Sequence, residues 1–119
     1  VRTLSMGEAA MLPFAIQLRA GVPQAEIGAF AERVAAEAAR FPDDAAALGV
    51  ATDALRTAGR IADAITMAER WVSVAPNDGE ALGMRAMLRA DALAAAKSHD
   101  AAAWVDVRKR FAAAIKLAP

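Results

Sequence analysis

Residues 41–76 read FPDDAAALGVATDALRTAGRIADAITMAERWVSVAP, and this stretch decides the fold. Pro42 and Pro76 stand 34 residues apart, each is followed by Asp or Asn, which start helices, and Gly59 lies about midway. Proline is excluded from a helix interior and glycine takes up the backbone geometry that ends one, so the stretch divides into two helices and a turn. Leu48, Ala51, Thr52 and Leu55 recur at three- and four-residue steps over about 44–58. Ile61, Ala64, Ile65, Ala68, Trp71 and Val72 do the same over about 60–74. Two such antiparallel helices bury each other's stripes and leave an open apolar face that another hairpin can cover.

Upstream, Ser5-Met6-Gly7-Glu8 has the form of a capping box and places a helix start near Ser5. Pro13 interrupts the apolar run that follows and predicts a kink or restart, while Gly21 ends the helix and Pro23 seeds a second over about 23–40. Ile27, Phe30, Ala31, Val34 and Ala38 form the stripe of that helix, and Phe41-Pro42 stops it. Downstream, Pro76-Asn77-Asp78 caps a fifth helix over about 79–97. Ser98-His99-Asp100 turns into a sixth ending near Leu117, with Trp104, Val107, Phe111 and Ile115 on its stripe and Asp106 paired to Arg110 one turn on. The chain is expected to form one domain over 1–119, with hairpins at about 5–41, 44–75 and 78–118.

Composition narrows the function. The chain has 119 residues, enough for one core but not for a core with a separate catalytic lobe. Alanine supplies much of the apolar content and no period-two alternation occurs, so the fold class is all-α. The 14 basic and 14 acidic residues cancel, leaving no field to attract nucleic acid. With no cysteine there is no disulfide and no thiolate metal site, which suits either redox compartment, the cytoplasm being slightly favoured over the periplasm. No apolar run approaches the ~20 residues of a spanning helix, so membrane insertion is not expected. Opening on Val1 rather than methionine, the chain reads as an excised or processed piece of a longer protein.

Chemistry-bearing residues are few. His99 is the single histidine, and without cysteines or clustered carboxylates it cannot assemble a zinc site, so it reads as a loop residue. Ser5, Ser73 and Ser98 lie in no nucleophile elbow, and no glycine-rich phosphate loop is present. Neither a catalytic residue, a cofactor nor a metal is expected. Met67, Met84 and Met87 read as core, with an adaptable peptide surface as the other use of flexible thioethers. Arg85 and Arg89, one turn apart, read as a solvated pair neutralised by Asp91 or Glu80, or as a clamp for a carboxylate. Arg108, Lys109 and Arg110 are consecutive and point around their helix, so they make no single basic surface.

The stretch resembles a tetratricopeptide repeat. Leu48 stands at the large first-helix position, Ala51 and Thr52 at the paired packing positions, Leu55 one turn on, Gly59 at the turn and Ala64 at the small second-helix position; Pro76-Asn77-Asp78 is similar to the repeat end. Glu80-Ala81-Leu82 begins another unit in the same register, and Phe111 to Pro119 resembles a second-helix ending. The last unit runs 43 residues, nine over the repeat length, which predicts about one extra turn in each of its helices. The resemblance implies three hairpins, about six helices, stacked in a right-handed superhelix, as a domain of a larger bacterial-type protein. It also implies a protein or peptide partner on a concave face offering Ala46, Gly49, Val50, Asp53, Arg56 and Thr57, with Arg85 and Arg89 supplying charge. The alternative is a structural accessory domain that docks within its own chain or forms a homodimer burying Trp71 or Trp104.

Overall fold

The computed structural model describes residues 3–117; Val1, Arg2, Ala118 and Pro119 lie outside them. The described chain is all-α: α1 (Met6–Ala20), α2 (Ile27–Ala38), α3 (Ala45–Thr57), α4 (Ile61–Val74), α5 (Gly79–Ala95) and α6 (Ala101–Leu117), with no strand among them. None of these helices is long and apolar enough to cross a membrane. The helices α5 and α6 have 17 residues each against 13 and 14 in α3 and α4, the extra turn that the longer last unit predicts. The helices group into two compact units divided between Arg60 and Ile61, at the Gly59 turn.

In the first unit, α3 packs along both α1 and α2, which also touch one another. Met11, Phe30, Val34 and Leu48 are almost wholly buried, and Ala31, Ala47, Ala51 and Ala54 between them let the helix axes approach. The ring of Phe14 meets that of Phe30 edge-on at 5.9 Å, fixing α1 on α2. The helix α1 does not restart at Pro13, although that residue removes the donor that the Ala9 carbonyl would otherwise receive. Pro13 is exposed, so water can reach the carbonyl left over. The second helix starts four residues after the expected Pro23: the Glu26 N–H donates to the Pro23 carbonyl at 2.8 Å, closing one turn before α2 begins.

In the second unit, α5 packs along both α4 and α6. Ala64, Ala68, Trp71, Ala81, Ala86, Leu88, Val107 and Ala114 are buried. The stripe expected on α6 is out of phase at its end. Ile115 is 71% exposed and Ala114 is buried in its stead, because Val107 and Ala114, seven residues apart, hold one line on a 3.6-residue helix.

The two proline turns are the same structure repeated. The Asp44 N–H donates to the Phe41 carbonyl and the Asp78 N–H to the Ala75 carbonyl, both at 3.1 Å, and each aspartate then caps the next helix. Asp44 does more than Asp78. One carboxylate oxygen accepts from the Ala47 N–H at 3.1 Å, and the other accepts from the Ser5 hydroxyl at 2.6 Å, while Ser5 accepts from the Glu8 N–H at 3.0 Å. Partial burial opposes ionisation of Asp44, but the Ser5 hydroxyl and the N–H groups of Ala47, Ala46 and Gly7 outweigh it and hold the carboxyl below its usual range. One carboxylate thus serves the first turns of both α1 and α3. Gly7 is required by that approach: a Cβ there would run into the Asp44 carboxylate.

The turns after α3 and α5 also match, with different residues. Gly59 has φ +77°, and the Arg60 N–H reaches back to the Leu55 carbonyl at 2.9 Å. Lys97 has φ +52°, and the Ser98 N–H reaches the Leu93 carbonyl at 2.9 Å. Both are left-handed helix ends with the six-to-one bond of a Schellman motif. Lysine has a Cβ that disfavours this geometry, so Lys97→Gly is expected to raise stability by about 0.5–1 kcal/mol, read as a higher urea midpoint at unchanged slope.

Candidate functional site

Ala46, Gly49, Val50, Asp53, Arg56 and Thr57 share one side of α3, because steps of three and four residues return to the same line on a helix. The opposite side is consumed by the core: Ala47, Leu48, Ala51, Thr52, Ala54 and Leu55 are all buried. Thr52 can be buried because its hydroxyl donates to the Leu48 carbonyl at 2.7 Å, leaving no unpaired polar atom. On the open side Asp53 and Thr57 are exposed, and Ala46, Gly49, Val50 and Arg56 are half-buried. The Thr57 hydroxyl turns back onto the Asp53 carbonyl at 2.8 Å. The result is a low face of small side chains edged by Asp53 and Arg56, suited to close contact with another backbone.

Arg85 and Arg89 stand on α5 in the second unit, joined through Glu69 of α4. Arg89 donates from Nη2 to Glu69 Oε1 at 3.0 Å, and Arg85 Nη1 lies 3.6 Å from Oε2. This differs from the expected neutralisation by Asp91 or Glu80: the carboxylate comes from the neighbouring helix. Glu69 and Arg85 lie at similar distances on either side of the Pro76 turn, with Arg89 one helical turn further on, so antiparallel pairing about that turn was the signal that pointed to the first contact. The Nε atoms of both arginines are buried without a hydrogen-bond partner among the described residues. On α6, Arg110 Nε donates to Asp106 at 2.8 Å; that bond, with smaller contributions from the charges of Arg110, Arg89 and Lys109, keeps the Asp106 carboxyl below its usual range. Leu88 is fully buried, while Met84 and Met87 are half-buried.

The remaining candidates divide clearly. Trp71 is only 5% exposed, so it belongs to the interior and is not the dimer contact it was expected to offer; its Nε1 has no partner among the described residues. Trp104 donates from Nε1 to the Ser98 carbonyl at 3.1 Å and ties α6 to its preceding loop. His99 is exposed in that loop, and no three His, Cys, Asp or Glu side chains converge among the described residues. A groove of about 470 Å³ opens where α1 gives way to α2, lined by Gln17, Gly21, Val22, Glu26, Phe30 and Arg33. The Arg33 guanidinium lies over the Phe30 ring, 5.8 Å from its centroid. No family model matches the chain, and no curated protein and no solved structure matches it either.

Proposed function

We propose that this chain is a tetratricopeptide-like, non-enzymatic interaction scaffold whose open α3 face receives a peptide, a helix or a neighbouring domain. The observation that carries the reading is the packing of α3 along both α1 and α2. In a helical solenoid each hairpin is covered by the next one, and the covering helix keeps its other side free for a partner. Recurrence of the same hydrogen-bonded proline turn and aspartate cap at 34 residues supports this. The face itself is small, half-buried and edged by one acidic and one basic residue, which fits a backbone laid against it. Arg85 and Arg89 add guanidinium donors for an acidic side chain or a terminal carboxylate, in exchange with Glu69.

The test is a peptide-display selection on the 119-residue chain, followed by titration of the selected peptides. Val50→Glu is expected to weaken them about tenfold or more, a loss of at least about 1.4 kcal/mol, with helix content unchanged. Peptides that bind parent and variant equally overturn the assignment to α3. A second reading, a structural accessory or dimerisation domain of a larger protein, is favoured by one observation: α1 exposes apolar side chains on its outer side, Met6 and Ile16 above all.

A further inference from the structure

The helix α1 is apolar on two opposite faces. Gly7 and Met11 are buried, with Phe14 and Leu18 half-buried beside them, and this inner face accounts for its packing in the first unit. The outer face consists of Met6, Ala9, Leu12, Pro13, Ile16 and Ala20, every one of them exposed, with Met6 at 81%, Leu12 at 46% and Ile16 at 61%. At about 100° per residue these six fall within a stripe about 120° wide, the form that a globular helix ordinarily buries. Single exposed apolar residues need no explanation, but a continuous stripe along four turns does.

We infer that this stripe pairs with the same stripe of a second copy of the chain, the two α1 helices lying antiparallel about a two-fold axis near Leu12 and Pro13. Size supports the choice of partner. Reflection about that axis sets Ile16 opposite Ala9 and Met6 opposite Ala20, so that large meets small toward each end, and lays Leu12 against its own copy at the axis, as an isologous contact allows. Charge supports the direction. Glu8 and Arg19 lie along the same edge of the stripe near its two ends, and in an antiparallel pair same-edge residues face each other, bringing Glu8 of one copy toward Arg19 of the other. A parallel pair would put these edges on opposite sides of the seam and leave Glu8 of one copy away from Arg19 of the other. Hydrogen bonding is met as well: the Ala9 carbonyl, deprived of its donor by Pro13, falls beside the reflected position of Gln17, whose amide can donate to it. A 15-residue helix is only about 22 Å long, and one such seam is smaller than the roughly 1,200 Å² of a stable complex, so the pairing is expected to be weak and concentration-dependent.

Sedimentation of the 119-residue chain over the micromolar range tests this, and the absence of native cysteine makes single-cysteine variants clean reporters. The mass is expected to rise from one chain to two with concentration, and Ile16→Glu to remain a monomer with unchanged helix content. Under mild oxidation Leu12→Cys, close to the axis, is expected to link to itself. Met6→Cys alone is expected to stay unlinked but to link to Ala20→Cys in a mixture. A chain monomeric at every concentration, an Ile16→Glu variant that still dimerises, or Met6→Cys linking to itself as readily as Leu12→Cys overturns the proposal. So does a monomer that cosediments with phospholipid vesicles, which would assign the stripe to a membrane surface.

Discussion

Phe30→Ala is expected to destabilise the chain by about 3–5 kcal/mol, among the largest losses a single truncation here should produce. Phe30 is 1% exposed and its ring is used on two sides: Phe14 of α1 meets it edge-on, and the Arg33 guanidinium covers it. Removing the ring leaves a void between α1 and α2, and the Met11, Val34 and Leu48 side chains are held by helices too closely set to collapse into it. A loss of that size approaches the whole stability of many domains, so the variant should be partly unfolded at 37 °C. Urea denaturation followed by far-ultraviolet circular dichroism should show the midpoint falling by about 2 M if the slope is about 2 kcal/mol/M. Phe30→Leu keeps most of the volume and should cost less than about 1.5 kcal/mol. Equal losses in the two variants would mean that the ring contacts, rather than the filled space, carry the energy.

Asp44→Ala should cost about 2–3 kcal/mol, more than an ordinary cap, because one carboxylate closes the first turns of two helices. Its loss strands the Ala47 N–H at the start of α3 and removes the acceptor of the Ser5 hydroxyl at the start of α1. Asp44→Asn keeps an oxygen for Ala47 but loses the charge that both helix dipoles favour, so it should fall between parent and alanine variant. The pH dependence has a definite sign. The folded carboxyl is held below the unfolded value of about 3.9, so its contribution is complete above that value and is lost as pH falls through the folded one. Parent and Asp44→Ala should therefore differ fully at pH 7, and their urea midpoints should converge in acid below about pH 4. A gap that persists unchanged at pH 3 would assign the effect to something other than the ionised cap.

What the sequence disclosed and what it hid follow from the range of the interactions involved. The caps at Ser5, at Asp43 or Asp44 and at Asp78, and the turn at Gly59, depend on residues three or four apart, so they could be read from the sequence, and the structure selects Asp44 of the two. The turn before α6 was marked by Ser98-His99-Asp100, but the left-handed conformation of Lys97 within it was hidden, because its Cβ opposes that geometry. Ile115 was misplaced because successive steps of three and four residues drift around a helix, and the burial of Ala114 decides the phase. The buried stripe of α3, with Leu48, Ala51, Thr52 and Leu55, was legible from its three- and four-residue steps. Glu69 as the partner of Arg85 and Arg89 was not, since it depends on how two helices register across a turn.

Trp71 and Trp104 both stand beyond Ile61, and the chain contains no tyrosine. Indole emission therefore reports on α4 to α6 alone and leaves α1 to α3 spectroscopically dark. In Phe30→Ala the two optical methods become independent witnesses: dichroism records every helix, emission only the last three. Melting curves that separate would reveal halves that come apart in sequence, and curves that superimpose would reveal a single cooperative body.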